Sequence, residues 1–322
     1  MHVLVTGGAG FIGCNLVEAL LKLERIKKVR VLDNLATGSA KNIEPFLKNE
    51  RFEFMEGDIR DYQTCVAACK GVNAISHQAA LGSVPRSIND PLTTNEVNIT
   101  GTLNIFTAAK EQGIKRIVYA ASSSTYGDHP GLPKQEDLIG SPLSPYAVTK
   151  YVNELYAKVY ASVYGMEAIG LRYFNVFGPK QSPQGAYAAV IPLFITSILN
   201  NESPLINGDG SHSRDFTYVD NAVQANVLAL FTEKKEALNQ VYNIAYGEET
   251  SLNTVFELLK SIAGSDLAPK YGPERKGDVK HSLADISKAA TLLHYKPLVA
   301  VKEGLAKAFE WYRSHHNFSY SI

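Results

Sequence analysis

Residues 2–13 read HVLVTGGAGFIG, and this stretch decides how the chain folds. The apolar run His2–Val5 predicts a buried parallel strand. Gly7, Gly10 and Gly13 follow it at the spacing G-x-x-G-x-x-G, and Asn15–Leu23 continues with the pattern of an amphipathic helix. Glycines at these positions permit a tight turn, let backbone N–H groups approach a pyrophosphate and allow the strand and helix to pack closely. The stretch therefore predicts the strand, loop and helix that open a dinucleotide-binding fold.

An acidic residue stands at the end of the next predicted strand. That strand is Val29–Leu32, and Asp33 follows it, about 20 residues beyond the last glycine, where this fold places a ribose-binding carboxylate. A carboxylate there binds the adenosine ribose hydroxyls and repels a 2′-phosphate, so we expect NAD rather than NADP. Asp58 follows the third predicted strand and has two interpretations, a contact to adenine or the N-cap of the next helix.

Short apolar runs alternate with helical patterns through the first half of the chain. The predicted strands are His2–Val5, Val29–Leu32, Phe52–Met55, Ala74–Ser76, Arg116–Ala121 and Ala168–Leu171, and the predicted helices are Asn15–Leu23, Gly101–Glu111 and Tyr146–Val163. Strands that alternate with helices of this length indicate βαβ units. We therefore predict the α/β class, with a Rossmann-type doubly wound parallel sheet and a smaller α/β substrate-binding domain.

The alternation of predicted strands and helices ends after residue 178. Loop-forming residues dominate Lys180–Tyr187 and Asn200–Asp215, followed by a strand-like run at Gln240–Ala245 and a helical pattern at Leu252–Ile262. We predict two interleaved domains. The dinucleotide-binding domain comprises residues 1–178 with residues 219–264 returning to it, and the substrate-binding domain comprises residues 179–218 and 265–322.

A tyrosine and a lysine four residues apart mark the candidate catalytic helix. The segment is SPYAVTK at residues 144–150, with Ser144 as the predicted N-cap and with Tyr146 and Lys150 on one face. A free phenol has a pKa of about 10, and a nearby ammonium is expected to lower it, so the pair is a candidate general base. Ser122 follows the fifth predicted strand, where its hydroxyl could bind the same substrate oxygen as Tyr146.

Together these motifs resemble the extended short-chain dehydrogenase/reductase superfamily. The resemblance rests on TGGAGFIG at 6–13, Asp33, SSSTYG at 122–127, the Tyr146–Lys150 pair and RDFTYVD at 214–220, and it extends from residue 2 to about residue 313. Two further stretches, LGSVPRS at 81–87 and GAYAAVIP at 185–192, are similar to bacterial UDP-N-acetylglucosamine 4-epimerases. The resemblance implies Tyr146 as the base, Lys150 on the nicotinamide ribose and Ser122 as the hydroxyl partner.

The resemblance also implies two sets of binding residues. The predicted contacts to NAD are Gly7, Gly10, Phe11, Ile12, Gly13, Asp33, Asn34, Gly38, Asp58, Ile59, Gln78, Ala79, Ala80, Asn98, Tyr146, Lys150 and Tyr173. The predicted contacts to a UDP-sugar are Gly82, Ser83, Ser122, Ser123, Ser124, Tyr146, Asn175, Ala189, Val190, Asn207, Arg214, Arg275, Asp278 and Ser282. In this second set the diphosphate is assigned to Asn175, Arg214 and Arg275, uridine to Asn207 and Asp278, and the hexose to Ser83 and Ser123.

Ser282 bears on the choice of sugar. In the family, the position four residues after the aspartate at 278 borders the 2-substituent of the hexose, and epimerases restricted to unacetylated sugars carry tyrosine there. The serine in this sequence leaves room for an acetamido group. We therefore predict that the protein interconverts UDP-N-acetylglucosamine and UDP-N-acetylgalactosamine by C4 epimerisation, through a transient 4-keto intermediate and with bound NAD.

Other functions on the same fold stay open. UDP-glucose/UDP-galactose 4-epimerases share these motifs, as do enzymes that epimerise or decarboxylate UDP-glucuronate. A 4,6-dehydratase needs acidic residues after the first hydroxyl of the serine segment, where this chain has Ser123 and Ser124. A non-catalytic NAD-sensing protein is a remote alternative, because such proteins typically lose the tyrosine or the lysine.

Composition limits the partners and the compartment. The 322 residues include 32 basic and 32 acidic side chains, so the charge balance predicts no nucleic-acid partner and no polybasic membrane arm. The amino terminus lacks the basic region of a signal peptide, no apolar run approaches the ~18 residues of a membrane helix, and three cysteines cannot form a disulfide framework. We expect a cytoplasmic protein with free thiols and no metal site. The helices at Gly101–Glu111 and Tyr146–Val163 resemble those that build a four-helix-bundle homodimer in the family.

Overall fold

Seven parallel strands form the central sheet of the computed structural model, which describes residues 1–184, 188–274 and 280–315. In chain order the strands are β1 (His2–Thr6), β2 (Lys28–Asp33), β3 (Phe52–Glu56), β4 (Ala74–His77), β5 (Arg116–Ser122), β6 (Glu167–Tyr173), β7 (Val176–Phe177), β8 (Leu205–Asn207), β9 (Ser213–Asp215), β10 (Thr217–Tyr218), β11 (Val241–Ile244), β12 (Glu249–Ser251) and β13 (Lys270–Gly272). The central sheet has the order β3-β2-β1-β4-β5-β6-β11. This order confirms the predicted Rossmann-type sheet.

The strand order changes direction between β1 and β4. The strands β2 and β3 lie on one side of β1, whereas β5 and β6 lie beyond β4. Thr6 of β1 pairs in register with Leu32 on one side and with His77 on the other. Open α/β sheets bind ligands at the carboxyl ends of the strands, at such a switch point. The glycine loop and Asp33 therefore meet the segment after His77 at one edge of the sheet.

Helices cover both faces of the sheet. In chain order they are α1 (Phe11–Lys22), α2 (Ala40–Ile43), α3 (Tyr62–Cys69), α4 (Val84–Asn89), α5 (Pro91–Asn95), α6 (Thr102–Glu111), α7 (Pro145–Tyr164), α8 (Val190–Leu199), α9 (Val219–Phe231), α10 (Leu252–Ala263), α11 (Ser287–Leu293) and α12 (Val301–His315). A π-helical turn at Glu96–Gly101 joins α5 to α6. Short 3₁₀ turns occur at Glu44–Phe46, Ser123–Tyr126 and Lys235–Ala237. Buried side chains of α3, α6 and α7 form one apolar cluster with the sheet, and those of α1 and α9 belong to a second cluster.

Among the described residues, three two-stranded sheets lie outside the central sheet, as the pairs β7–β10, β9–β12 and β8–β13. The predicted loop over Asn200–Asp215 is wrong at two places, because β8 and β9 lie within it. Each of these strands has only 3 residues and pairs with a strand far along the chain. A run that short has no readable periodicity.

The second apolar cluster continues beyond the sheet into α8, α10 and α12. The strand β11 extends the central sheet beside β6, whereas α10 packs against α8 and α12. The predicted division of the chain at residues 178, 218 and 264 stays a prediction.

Membrane, thiol and metal features were also predicted. Within the described ranges, no helix combines the length and the apolar character needed to cross a bilayer. Cys14, Cys65 and Cys69 are free, buried thiols, as predicted. The same part of the chain contains no cluster of three or more His, Cys, Asp or Glu side chains suited to a metal ion.

Candidate active site

A cavity of about 680 Å³ opens at the carboxyl edge of the central sheet. Its wall contains most of the side chains predicted to contact NAD and several of those predicted for the sugar nucleotide. These lining residues are Gly7, Gly10, Phe11, Ile12, Gly13, Asp33, Asn34, Asp58, Ile59, Gln78, Ala79, Ala80, Gly82, Ser83, Ser122, Tyr146, Lys150, Tyr173 and Asn175. The fold therefore brings residues from both sides of the switch point into one space.

Two glycines of the loop, Gly7 and Gly13, have no room for a side chain. Gly7 has a φ of +70°, and a Cβ there would lie 2.6 Å from the backbone nitrogen of Ala79. A Cβ on Gly13 would lie 2.1 Å from the carbonyl oxygen of Gly7. Helix α1 begins at Phe11, and no side chain of the described residues caps its first N–H groups. The loop and the helix end can therefore hold the pyrophosphate of a dinucleotide through backbone N–H groups.

Asp33 ends β2 and is only 8% exposed. Its carboxylate accepts hydrogen bonds from the backbone nitrogens of Ala9 at 2.9 Å and Leu35 at 2.8 Å. Burial raises the pKa of Asp33, and the two N–H donors oppose that effect. Because this fixed carboxylate lines the cavity, it fits the predicted role of binding the adenosine ribose and excluding a 2′-phosphate.

Asp58 and Arg60 form an ion pair at the same end of the cavity. The Arg60 Nη2 atom lies 2.7 Å from Asp58 Oδ2, and the hydrogen bonds from Arg60 lower the pKa of Asp58 to about 2. Asn34 also donates to Asp58, at 2.9 Å. The N-cap interpretation of Asp58 is wrong, because Asp61 caps α3 by accepting from the backbone nitrogen of Gln63. The adenine contact stays the prediction for Asp58.

Ser122 and Tyr146 both line the cavity wall, and the Ser122 hydroxyl is near enough to the phenol to affect its pKa. Ser122 Oγ accepts from the backbone nitrogen of Ser124 at 3.2 Å and from Ser124 Oγ at 2.8 Å. A hydroxyl has one proton to give, so Ser122 can donate its own to the oxygen of Tyr146. Burial raises the pKa of Tyr146, and the bond with Ser122 lowers it. We expected Lys150 to lower the pKa of Tyr146. That expectation is wrong for the protein side chains alone, because burial has the largest effect on this pKa and raises it.

Lys150 is a nearly enclosed ammonium beside Tyr146. It is 4% exposed, its Nζ donates to the carbonyl oxygen of Ala120 at 2.8 Å, and the same atom lies 5.9 Å from the centre of the Tyr146 ring. Burial lowers the pKa of Lys150 to about 8. An ammonium has three donors, so the bond to Ala120 leaves two for a ligand. This arrangement fits the predicted contact of Lys150 with a nicotinamide ribose.

Helix α7 carries Tyr146 and Lys150 and is held in a fixed position against the sheet. Ser144 caps the helix as predicted, by accepting from the backbone nitrogen of Ala147 at 3.1 Å. One turn beyond Lys150, Glu154 forms a 2.7 Å ion pair with Arg172 of β6, and both side chains are 3% exposed. Breaking such a buried pair by removing one partner costs about 3–5 kcal/mol. The pair therefore fixes α7 against the sheet.

Several predicted contacts do not line this cavity. They are Gly38, Asn98, Ser123, Ser124, Ala189, Val190, Asn207, Arg214 and Ser282. Two others, Arg275 and Asp278, lie outside the described residues. The assignments of uridine and of the diphosphate to these positions stay predictions.

Three residues of this group support the wall from behind. A Cβ on Gly38 would lie 2.8 Å from the carbonyl carbon of Ala9, so Gly38 allows close packing on the glycine loop. Asn98 is fully buried and holds the backbone of Leu81 at both its nitrogen and its oxygen. The predicted contact of Asn98 with NAD stays a prediction. Ser124 likewise acts on Ser122 rather than on the cavity.

The remaining members of the group have other neighbours. Arg214 Nη1 donates to the carbonyl oxygen of Lys280 at 3.2 Å, and Asn207 ends β8, which pairs with β13. Ser282 is half-buried, and the carbonyl oxygen of the residue after it accepts from the backbone nitrogen of Lys134 at 2.7 Å. These three side chains are not among the lining residues of the cavity, and their predicted contacts to the sugar nucleotide stay predictions.

The wall also contains residues that the sequence reasoning missed. They are Leu32, Ala36, Thr37, Gly57, Arg60, Leu81, Thr93, Val97, Ala120, Ala121, Val176 and Gln181. Most of them flank a predicted contact, which was the available signal. Gln181 follows the strand β7 instead, and its Oε1 is a buried acceptor without a donor in the described part of the chain. That orphaned oxygen is suited to a ligand N–H or O–H group.

The chain is similar to known proteins. Residues 3–245 match the NAD dependent epimerase/dehydratase family. The chain is 36% identical to the UDP-glucose 4-epimerase of Mycolicibacterium smegmatis, across 98% of this chain and 99% of that protein.

Solved structures of related proteins match nearly the whole length of this chain. The UDP-N-acetylglucosamine 4-epimerase from Methanobrevibacter ruminantium M1, in complex with UDP-N-acetylmuramic acid, has a TM-score of 0.92 and 41% identity, and the match covers 98% of each chain. The UDP-glucuronic acid 4-epimerase from Bacillus cereus, in complex with UDP-glucuronic acid and NAD, has a TM-score of 0.90 and 33% identity, over 98% of this chain and 99% of that one. The family model covers residues 3–245 and these relatives match nearly the whole chain, so the chain belongs to the NAD dependent epimerase/dehydratase family and uses NAD as its cofactor.

Proposed function

We propose that this enzyme interconverts UDP-N-acetylglucosamine and UDP-N-acetylgalactosamine by inverting the hydroxyl at C4. The observation that supports an acetylated substrate is Ser282, a small side chain where related epimerases restricted to unacetylated sugars carry tyrosine. The similarity to the Methanobrevibacter ruminantium UDP-N-acetylglucosamine 4-epimerase supports the same substrate. Interconversion of UDP-glucose and UDP-galactose is the second candidate, because the Mycolicibacterium smegmatis relative is a UDP-glucose 4-epimerase.

The chemistry assigned to the chain is a proton transfer at O4 of the sugar. Tyr146 takes this proton, while Ser122 donates a hydrogen bond to the same oxygen and Lys150 orients the cofactor ribose. NAD, when bound, would supply the acceptor for the C4 hydride. The cavity must then let the 4-keto sugar turn, so that the hydride returns to its opposite face. Tyr146 gives the proton back, and the reaction has no net redox change.

Three alternatives fit the side chains less well. A 4,6-dehydratase needs a carboxyl group near Ser122, but the turn that follows contains Ser123 and Ser124, and Ser124 is bonded to Ser122. A UDP-glucuronate enzyme needs cations for the sugar carboxylate, and the cations of the described wall are Arg60, paired with Asp58, and Lys150. A non-catalytic NAD-sensing protein does not need the Tyr146–Lys150 pair that this chain retains.

The substitution Ser282→Tyr tests the choice of sugar. Extra bulk forced into a packed site costs about 1–3 kcal/mol, and about 1.4 kcal/mol corresponds to a factor of ten. We therefore expect Ser282→Tyr to lower kcat/KM for UDP-N-acetylglucosamine by at least about tenfold, with turnover of UDP-glucose retained or improved. Initial rates on both substrates measure the effect.

The matched control is Ser261→Tyr, the same change at an exposed position of α10. It should leave kcat/KM for both sugars unchanged. An equal loss on the two substrates with Ser282→Tyr would mean general damage. No loss on either substrate would mean that Ser282 does not select the sugar.

We also propose a homodimer that packs through α7. This helix exposes a stripe of apolar side chains, and neighbouring α4 and α5 expose others; these side chains include Val148, Leu155, Val159, Val163, Ile88 and Leu92. Helix α6 instead buries its apolar residues beneath α7 and against the sheet. An apolar surface of this kind on a polar protein marks a contact with another chain.

The substitution Val159→Asp tests the dimer, because a carboxylate at the middle of the stripe cannot be buried without a partner. We expect the mass in solution, measured by light scattering, to fall from two chains to one. Leu298→Asp is the control, since Leu298 is 69% exposed and lies outside α7. A parent protein that is already monomeric, or a Val159→Asp variant that stays dimeric, would contradict this surface.

A further inference from the structure

His77 is a buried titratable side chain that the proton transfer at O4 does not use. It is the last residue of β4 and is 4% exposed. Its backbone pairs in register with Thr6 of β1. Gly7 follows Thr6, and Gln78 follows His77, and both of these neighbours line the cavity. The imidazole therefore lies directly behind the part of the wall that receives the dinucleotide.

The hydrogen bonds of the ring define its protonation. Nδ1 lies 2.7 Å from Thr6 Oγ1, and Nε2 lies 3.0 Å from Thr102 Oγ1. The hydroxyl of Thr102 donates its single proton to the carbonyl oxygen of Asn98 at 2.6 Å. Nε2 must therefore carry a proton and donate to Thr102. Burial, together with the charge of Lys150, lowers the pKa of His77 to about 3, so Nδ1 is bare and accepts from Thr6.

On the cofactor side, the same chain of bonds continues to the glycine loop. Thr6 Oγ1 gives its proton to His77 and accepts the backbone N–H of Ala79 at 3.3 Å. Ala79 is the residue against which a Cβ on Gly7 would collide, at 2.6 Å. Through Thr6, His77 thus fixes the backbone at Ala79, and this backbone limits the space above the glycine loop at Gly7.

On the catalytic side, the chain of bonds continues to the backbone of Tyr146. Asn98 lies in the π-helical turn before α6, and its Nδ2 donates to Thr149 Oγ1 at 3.1 Å. Thr149 Oγ1 in turn donates to the carbonyl oxygen of Tyr146 at 2.8 Å. Each threonine hydroxyl in this series donates its proton to one acceptor. The direction of donation along the series therefore cannot reverse without breaking a hydrogen bond.

We propose that His77 is a positioning residue for the epimerase reaction: as the neutral Nε2–H tautomer it sets the distance between the glycine loop and Tyr146. It does not touch substrate and gives no proton to it. Its two nitrogens separate two tasks, because Nδ1 secures the cofactor loop through Thr6 and Nε2 secures the catalytic helix through Thr102. This role rests on the epimerase chemistry of the family and not on the choice of sugar.

The test is a pair of substitutions that each keep one of the two bonds. The side chain of asparagine places its polar atoms near the Nδ1 position, and that of glutamine reaches the Nε2 position. His77→Asn keeps an acceptor for Thr6 and loses the donor to Thr102, so we expect kcat to fall by about 10- to 100-fold, as for a displacement of order 1 Å, with the NAD content retained. His77→Gln keeps the donor to Thr102, and we expect the purified protein to lose NAD.

Three readouts separate positioning from general damage. They are kcat and KM with whichever UDP-sugar the parent turns over, NAD released on denaturation, and the unfolding temperature. Leu259→Ala, which removes a fully buried side chain of α10, is the control: it should lower the unfolding temperature and leave kcat per bound NAD unchanged. The NAD readout does not depend on the substrate, so it stands even if the proposed sugar is wrong.

A third variant covers the case in which both His77 substitutions fail to fold. Thr102→Val keeps the shape of the side chain and removes the acceptor of Nε2, and it should lower kcat with NAD retained, as His77→Asn does. Parental kcat in Thr102→Val or in His77→Asn would overturn the proposal. Equal losses of NAD and of kcat in the two His77 variants would overturn it as well.

Discussion

Tyr146→Phe is expected to lower kcat by roughly 10²–10⁴-fold, the usual contribution of a positioned general base. The substitution keeps the ring in α7 and removes only the phenol hydroxyl. Neither the glycine loop nor Asp33 changes, so NAD and the sugar nucleotide should still bind. Initial rates give kcat and KM, and denaturation of the purified variant gives its NAD content.

A neighbouring tyrosine on the same helix provides the matched control. Tyr151 lies in α7 but does not line the cavity, so Tyr151→Phe should keep the parental kcat. A Tyr146→Phe variant that turned over at the parental rate would show that another group accepts the O4 proton. Loss of NAD from Tyr146→Phe would show instead that the phenol serves the cofactor.

Gly13→Ala is expected to lower activity at least about 100-fold, because it displaces the backbone that holds the pyrophosphate. The added Cβ would lie 2.1 Å from the carbonyl oxygen of Gly7 and 2.8 Å from the Cα of Gly8. Both are backbone atoms, so no side chain can turn aside to make room. The variant should be isolated without NAD, which absorbance and chromatography of the denatured protein measure.

Gly10→Ala gives a graded comparison in the same loop. Its Cβ would meet the Gly7 oxygen at 3.2 Å, a contact that small shifts can relieve. We expect a smaller loss of NAD and of activity than with Gly13→Ala. The reverse order, or full NAD content in Gly13→Ala, would contradict the assignment of this loop to the pyrophosphate.

The central sheet could be predicted because its signals are local. Apolar runs of three to six residues separated by helical patterns identify β1 to β6, and the glycine loop identifies the first crossover. The short strands β8, β9 and β13 could not be predicted, because each forms by pairing with a distant strand and not by a preference of its own residues. The same limit applies to the π-helical turn at Glu96–Gly101, which depends on packing between helices.

The catalytic pair could be predicted because four residues of one helix determine its spacing. The pKa of Tyr146 could not, since burial is a property of the whole fold and is the largest cause of the shift in that pKa. The role of Ser124 as a donor to Ser122 required the geometry of a 3₁₀ turn. His77 was missed for a similar reason, because its partners Thr6 and Thr102 are 71 and 25 residues away in the sequence.

The most direct test of the account is a product assay with the purified enzyme and no added NAD. UDP-N-acetylglucosamine, UDP-glucose and UDP-glucuronate are supplied separately, and the C4 epimers are separated by chromatography and quantified. The account predicts that UDP-N-acetylgalactosamine forms with the highest kcat/KM of the three products, supported by the NAD that the protein carries. Formation of UDP-galactose or UDP-galacturonate without UDP-N-acetylgalactosamine would contradict it.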